Sequence, residues 1–176
     1  MERGYPFYAT AINDLGEVVG YTGQLPNEYE WGFFWTNGRS ANLPVSFFLA
    51  ANGMGLFGDG WPPTFPNAVS NTQQVVGQNG IYFTLGHATS WKNGVSTDLG
   101  SLVAGTDSEL YSSSANSVND LGQIVGWSTT SLLEVPSPCY ESVANNCPMH
   151  AVLWTQNGAI NDLGTLPVPT RNSVRL

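Results

Sequence analysis

Two histidines are the side chains in this sequence best suited to acid–base chemistry. His87 and His150 are the only histidines, and each is followed by alanine and, four positions later, by tryptophan. Histidine titrates near neutral pH and often serves as a general base. Because both occupy the same place in two copies of one motif, packing within a repeat is the simpler interpretation, and general-base catalysis is the alternative.

No familiar nucleophile or metal motif accompanies the histidines. The sequence has no Gly-x-Ser-x-Gly, no Ser-x-x-Lys, no His-Glu-x-x-His and no phosphate-binding glycine loop. Serine-hydrolase chemistry of the usual kinds is therefore not expected.

Oxygen-bearing side chains recur in three turns, at Asn13-Asp14, Ser70-Asn71 and Asn119-Asp120. Calcium prefers such oxygen ligands. If the strands before these turns are innermost, Asn13, Asp14, Asn71, Asn119 and Asp120 would converge on Ca²⁺, which would polarise an ester or lactone carbonyl while a histidine activates water. Asn and Asp are also typical of hairpin turns, and that role is the simpler interpretation.

Several aromatic side chains lie in or beside the connections of the chain. The candidates for ligand binding are Trp31, Trp61, Trp127 and Tyr140. Exposed rings there would stack on sugars or take up an acyl chain, and the alternative is that they cap the edges of sheets.

These residues belong to a unit that the chain repeats three times. The first block reads INDLGEVVG at 12–20, VSNTQQVVG at 69–77 and VNDLGQIVG at 118–126. The second reads WGFFWTNG at 31–38, HATSWKNG at 87–94 and HAVLWTQNG at 150–158. The third reads SANLP at 40–44, STDLGSL at 96–102 and INDLGTL at 160–166. Such recurrence predicts a repeat fold.

Each unit is predicted to form four short antiparallel strands. The first strand (9–13, 67–70 or 115–119) ends in an Asn/Asp/Gly turn, and the second is the Val-Val-Gly element. The third carries the tryptophan, and an Asn-Gly step turns it into the fourth. Repetition on a strand indicates packing, so three residues are assigned to the core: Trp35, Trp91 and Trp154.

The predicted fold class is all-β, with three four-stranded antiparallel units of β-propeller type; a β-trefoil and a β-prism are alternatives. A single domain is expected over 1–176, with units at about 5–45, 66–102 and 112–167. Residues 168–176 resemble the start of a fourth unit's first strand. Propellers have about four to eight blades, so a homodimer completing a six-bladed ring is expected.

The third unit carries the most specific pattern, at Gln123–Gly126, His150–Trp154 and Asp162–Leu166. This pattern resembles the HAF family of probable extracellular repeats. The second unit keeps its His-Ala and Trp, and the first departs from it at Trp31 and at Asn42-Leu43-Pro44. The resemblance covers nearly all of the chain outside the long connections and implies a secreted bacterial repeat protein.

The charge balance restricts the partners. Five Lys and Arg residues oppose 13 Asp and Glu residues, for a net charge of −8. Nucleic acids and anionic membranes bind clustered basic surfaces, so neither is expected as a partner. No stretch approaches the roughly 20 apolar residues of a membrane span.

Two cysteines bear on the compartment. Cys139 and Cys147 lie in a Pro/Ser/Asn-rich segment. A disulfide between them is the preferred interpretation, because two thiols are too few for structural zinc; two free thiols in a reducing cytosol are the alternative. A disulfide would agree with an extracellular or periplasmic location, although residues 1–6 lack the apolar core of a secretory signal.

The sequence therefore predicts a secreted β-repeat module that binds an extracellular glycan, small molecule or protein through its loops. The alternative is a Ca²⁺-dependent hydrolase of the lactonase or esterase type, acting on a small neutral or lipophilic ester or lactone with His87 or His150 as base.

Overall fold

The structure is a computed structural model that describes residues 6–22, 31–44, 63–80, 86–103, 112–130 and 149–165. Within these ranges the chain forms twelve strands and no helix. The strands are β1 (Phe7–Ile12), β2 (Val18–Thr22), β3 (Gly32–Thr36), β4 (Arg39–Asn42), β5 (Thr64–Val69), β6 (Val75–Gly80), β7 (Gly86–Lys92), β8 (Val95–Asp98), β9 (Ser113–Val118), β10 (Ile124–Thr129), β11 (Met149–Trp154) and β12 (Ile160–Gly164).

Consecutive strands pair into three antiparallel sheets of four strands each. Sheet 1 contains β1–β4, sheet 2 contains β5–β8 and sheet 3 contains β9–β12, and in every sheet the strands follow one another in chain order. The predicted all-β class with three four-stranded units is confirmed. The first strands β1, β5 and β9 begin at residues 7, 64 and 113, whereas the predicted first strands began at 9, 67 and 115. The described ranges contain no helix that could span a membrane.

The predicted Asn-Gly hairpins between third and fourth strands form as expected in sheets 1 and 2. Asn37 and Gly38 have φ angles of 50° and 77°, and Asn93 and Gly94 have 53° and 75°. Two consecutive positive φ angles define the tight turn whose twist matches that of paired strands, and Asn-Gly adopts it at low cost.

The glycine of the Val-Val-Gly element lets the first strand approach closely. Gly20, Gly77 and Gly126 face a point where the pairing register of the first strand shifts by one residue. A Cβ atom at any of the three would lie 1.9–2.0 Å from a carbonyl oxygen of that strand. Glycine recurs here because no side chain fits.

The sheets pack on one another in chain order through their first strands. β5 lies against β1, β2 and β3, and β9 lies against β5, β6 and β7. Equivalent hydrogen bonds link neighbouring first strands: Thr10 Oγ1 donates to Pro66 O at 2.6 Å, and Asn67 Nδ2 donates to Ala115 O at 2.9 Å. The repeat in sequence is therefore also a repeat in the contacts between sheets.

The core consists of two apolar layers, one in each gap between sheets. The layer between sheets 1 and 2 contains Val19, Leu43, Val69, Val75 and Trp91. The layer between sheets 2 and 3 contains Val76, Ala88, Ala115, Ile124, Val152 and Trp154. Burial of this apolar surface holds the three sheets together.

The assignment of all three repeat tryptophans to the core is correct for Trp91 and Trp154 and wrong for Trp35, which is 38% exposed. Trp91 packs beside Leu43 of sheet 1, and its Nε1 donates to Pro44 O at 2.7 Å. In the described part of the chain, no sheet lies on the side of sheet 1 that carries Trp35. Trp35 therefore lacks the neighbouring sheet that buries its equivalent, Trp91.

Candidate functional site

Each sheet has two unlike ends. At the first, termed the turn end, short hairpins join the first strand to the second and the third to the fourth. At the other, termed the loop end, the second and fourth strands end and the first and third begin. The longer connections (23–31, 43–63, 81–85, 99–112 and 130–148) all join strand ends of this kind.

The structure brings three of the predicted metal ligands together at the turn end. The Asp14 N–H donates to Asn71 Oδ1 at 3.0 Å, and the Asn71 N–H donates to Asp120 Oδ1 at 2.7 Å. Asn71 Nδ2 also donates to Oδ2 of both carboxylates, at 2.9 Å each. We call Asp14, Asn71 and Asp120 the turn clamp, because they fasten three successive units to one another.

The turn clamp as it stands does not fit a calcium ion. A calcium ion in a protein is coordinated by about six to eight oxygen atoms. Here an amide N–H group of Asn71 lies between the two carboxylates, and the bond from the Asp14 N–H to Oδ1 fixes that orientation of the amide. No group of three or more His, Cys, Asp or Glu side chains that could hold a metal occurs among the described residues.

Asn13 and Asn119, the other two predicted metal ligands, stabilise their own turns. Asn13 Oδ1 accepts hydrogen bonds from the backbone N–H groups of Leu15 and Glu17. Asn119 Oδ1 accepts equivalent bonds from residues 121 and 123. These bonds are typical of Asn in tight turns, and they direct both oxygens away from the clamp.

Sequence reasoning missed a buried carboxylate beside the clamp. Glu17 is 4% exposed and accepts hydrogen bonds from Asn13 Nδ2 at 2.7 Å and from Gln73 Nε2 of the next unit. The available signal was that Glu17 occupies a place where the other two units have Gln74 and Gln123. Because the Glu17 carboxylate accepts a hydrogen bond from Gln73, it links sheet 1 to sheet 2.

Both histidines form a pair with an aspartate of the neighbouring strand at the loop end. His87 Nδ1 lies 2.8 Å from Asp98 Oδ2, and His150 Nδ1 lies 2.8 Å from Asp162 Oδ1. In both units the aspartate also accepts a backbone N–H at 2.7 Å from the glycine of its Asp-Leu-Gly motif. The aspartates, which the motif contained but sequence reasoning did not single out, fix the orientation of the rings.

The two His–Asp pairs differ in their access to solvent. His87 is buried, whereas the side chains of His150 and Asp162 are 28% and 45% exposed. The hydrogen bond from His150, followed by that from the Gly164 N–H, lowers the pKa of Asp162. Asp162 therefore stays ionised to a lower pH than an isolated aspartate.

The histidines do not share a site with the turn clamp. On β7, Trp91 pairs with Val75 beside the turn, whereas His87 pairs with Asn79 at the far end of β6. His150 has the same place in sheet 3, where it pairs with Ser128 near the end of β10. Four residues of strand, at about 3.3 Å each, separate each histidine from the tryptophan at the turn end.

Aromatic side chains collect at the loop end of sheet 1. Tyr8 and Tyr21 face each other across β1 and β2 with ring centroids 5.5 Å apart, and Tyr21 lies 5.7 Å from the buried Phe65 of sheet 2. Tyr8 is 51% exposed. The predicted ligand-binding Trp31 lies at this same end, where its N–H donates to Thr22 Oγ1.

Equivalent positions at the loop end carry different side chains in the three units. The end of the second strand has Tyr21, Gln78 or Trp127, and the start of the third has Trp31, His87 or His150. At the turn end, by contrast, the units share Asp or Asn at the clamp. Side chains at equivalent positions therefore vary more between units at the loop end than at the clamp.

The remaining predicted residues lie outside the described ranges. They are the ligand-binding candidates Trp61 and Tyr140, the disulfide pair Cys139 and Cys147, and the fourth-unit segment 168–176.

The fold and these two ends define an all-β protein built from three repeated four-stranded sheets. No family model, no curated protein and no solved structure matches the chain. The resemblance to HAF repeats therefore stays a prediction.

Proposed function

We propose that this chain is a secreted, propeller-type β-repeat module that binds an extracellular glycan at the loop end of its sheets. The observation that carries the proposal is the tyrosine pair at this end: Tyr8 is exposed, and the half-buried Tyr21 rests on the buried ring of Phe65. Glycan here means a chain of neutral or weakly charged sugars, because the protein is strongly acidic.

The tyrosine pair has the chemistry that sugars require. An aromatic face packs on the C–H side of a sugar ring, and a phenolic hydroxyl can donate and accept hydrogen bonds with sugar hydroxyls. Large apolar groups that stay in water often mark binding sites. Trp31 of sheet 1 and Trp127 of sheet 3 are further half-buried aromatic side chains at the same end of their sheets.

The turn end is less suited to ligand binding than the loop end. Its Asp and Asn side chains are occupied by hydrogen bonds to one another and to their own turns. A ligand that approached the Asn71 amide would have to break those bonds first. The side chains that remain free to differ between units are those at the loop end.

The propeller type is supported by the way neighbouring sheets meet. First strands lie side by side and are linked by the same hydrogen bonds at both junctions, as expected for blades whose first strands surround a common axis. A trefoil or a prism would arrange its three units around a closed threefold axis. A low-resolution solution envelope distinguishes these shapes.

Glycan binding is tested with a glycan array followed by calorimetry on the best glycan. We expect Tyr8→Ala to weaken binding at least about tenfold, because roughly 1.4 kcal/mol of stacking would be lost. Leu15→Ala is the matched control, since Leu15 is also exposed, at 64% against 51% for Tyr8, but lies at the turn end. Absence of binding to every glycan, or equal loss in both variants, would contradict the proposal.

Secretion and the disulfide between Cys139 and Cys147 belong to the same proposal. Protein exported to an oxidising compartment should take up no alkylating reagent until it is reduced, and then two equivalents. Intact mass before and after reduction measures this directly.

Hydrolysis of a small ester or lactone is a second candidate, favoured by one observation. A carboxylate orients the ring of His150 while part of that ring stays exposed, as a general base requires. Turnover in an ester and lactone panel, present with or without calcium and lost in both His150→Ala and Asp162→Asn, would support catalysis. No turnover in the panel would eliminate it.

A further inference from the structure

Every sheet has two faces that can be compared position by position. The backward face, which points toward the preceding sheet, carries Val69, Val75 and Trp91 in sheet 2 and Val118, Ile124 and Trp154 in sheet 3. The forward face, which points toward the next sheet, carries Val19 and Leu43 in sheet 1 and Val76 and Leu99 in sheet 2. At both internal interfaces a forward face covers a backward face.

Among the residues that the structure describes, one face of each type has no sheet packed on it. The backward face of sheet 1 contains Ile12, Val18, Phe33 and Trp35. Ile12 and Trp35 are exposed, whereas Phe33, which contacts the ring of Phe7, is buried. The forward face of sheet 3 contains Val125 and Leu163, which are also exposed. The corresponding residues of sheet 2 are buried, except Leu99, which is partly buried. These positions are therefore ones that a neighbouring sheet covers elsewhere in the repeat.

The turn clamp has two open ends that match these faces. Its backbone N–H groups donate to the next unit, from Asp14 to Asn71 and from Asn71 to Asp120. Within the ranges that the structure describes, the Asp120 N–H has no equivalent acceptor, and Asp14 Oδ1 accepts from no preceding turn. A donor is open beside sheet 3, and an acceptor is open beside sheet 1.

We propose that a second copy of this chain covers both faces, with the forward face of sheet 3 packed on the backward face of sheet 1 of the other copy. The two faces complement each other because they repeat an interface that already exists twice inside the molecule. The Asp120 N–H then donates to Asp14 of the second copy. Two such contacts close a pair of chains with six sheets.

The new interface differs from the internal ones in two respects. First, Asp120 would lie against Asp14, so two carboxylates meet where each internal junction pairs an aspartate with Asn71. Second, it lacks a side-chain acceptor. The hydroxyl groups of Thr64 and Ser113 accept the N–H groups of Gly32 and Ala88 across the internal interfaces. The equivalent residue of sheet 1 is Phe7, which has no acceptor. The contact between copies therefore lacks a hydrogen bond that the internal contacts have, and we expect it to dissociate reversibly at low protein concentration.

The experiment is sedimentation equilibrium of the full chain and of two charged variants. The native chain is expected at the mass of two chains, with reversible dissociation on dilution. Trp35→Glu disables only the backward face of sheet 1, and Leu163→Glu disables only the forward face of sheet 3, so each variant alone should run as one chain. Both side chains are exposed, so each variant should keep the circular dichroism of the native protein.

Mixing the two variants provides the decisive measurement. Each retains the face that the other has lost, so an equimolar mixture should form a one-to-one pair through a single intact contact. Val95→Glu is the matched control, because Val95 is exposed on sheet 2, whose two faces are covered. That variant should stay paired like the native chain. If a glutamate variant does not fold, Ile12→Lys and Val125→Lys test the same two faces.

Three outcomes would overturn the proposal. A native chain that stays single up to about 100 µM would show that the faces are left to other repeats or to segment 168–176 of the same chain. Pairing of Leu163→Glu with itself would mean that like faces meet. Species that grow beyond two chains with concentration would show that the contact does not close.

Discussion

Sheets 1 and 2 each carry a tryptophan at the same position of the repeat, but only the tryptophan of sheet 2 is buried. Trp91 of sheet 2 is 2% exposed and packs on Leu43, whereas Trp35 of sheet 1 is 38% exposed. The strand, the turn that follows and the pairing register are equivalent in the two sheets. Whether a residue of the repeat is buried therefore depends on whether another sheet lies next to it. The local sequence determines only which residues lie on the face that such a sheet would cover.

The forward faces give the same contrast from the other side. Val76 of sheet 2 is fully buried under sheet 3, and its equivalent in sheet 3, Val125, is 42% exposed. Among the described strands, sheet 2 has another sheet on both of its faces, whereas sheets 1 and 3 each have one on a single face. A mutation at one repeat position should then have a cost that depends on which sheet carries it.

The largest expected difference is at the tryptophans. Trp91→Ala should lower the free energy of unfolding by about 3–5 kcal/mol, because it leaves a cavity between two sheets. Trp35→Ala should cost about 1 kcal/mol at a protein concentration where the chain is single, since most of the ring's surroundings are then water. Urea unfolding measures both, and equal losses would contradict the comparison. If copies pair, the cost of Trp35→Ala should rise with protein concentration.

A smaller difference is expected at the valines of the forward faces. Val76→Ala should cost about 2 kcal/mol, from two buried methyl groups and the space they leave. Val125→Ala should cost less than about 1 kcal/mol in the single chain. Chemical denaturation of both variants at one low concentration provides the measurement, and a larger loss for Val125→Ala would reverse the order that burial predicts.

The turn clamp distinguishes the middle unit from the outer ones by one residue. Asn71→Asp would place a third carboxylate beside Asp14 and Asp120, so we expect a loss of about 1 kcal/mol at low ionic strength. Salt should restore part of this stability, and calcium should restore more if three carboxylates suffice to bind it. Asn71→Ala, which removes the hydrogen bonds without adding charge, should respond to neither. Thermal unfolding with and without added salt or calcium distinguishes the two variants.

The smallest effect is expected from the partly exposed His150–Asp162 pair at the loop end of sheet 3. Because the folded state lowers the pKa of Asp162, its contribution to stability is present above the ordinary aspartate value of 3.8 and is lost as pH falls through the lower folded value. Native protein should thus unfold at a higher temperature than Asp162→Asn near pH 6, and the difference should shrink below about pH 4. A difference independent of pH would contradict this assignment.

Sequence reasoning succeeded where a property belongs to a few neighbouring residues. The Asn-Gly hairpins and the four-strand unit followed from local backbone preferences, and the turn residues Asp14, Asn71 and Asp120 were expected to meet if the first strands were innermost. It failed at Trp35, because periodicity indicates which face packs but not whether a neighbour is there.

The sequence by itself determined the repeat, the strand order within each sheet and the residues that each face presents. Tertiary structure decided that the Asn71 amide lies between the two clamp carboxylates, and that the histidines pair with aspartates at the other end of the sheets. The physical reason is the range of each interaction. Turn and pairing preferences act over a few residues, whereas burial and inter-sheet hydrogen bonds depend on segments about 50 residues apart that only packing brings together.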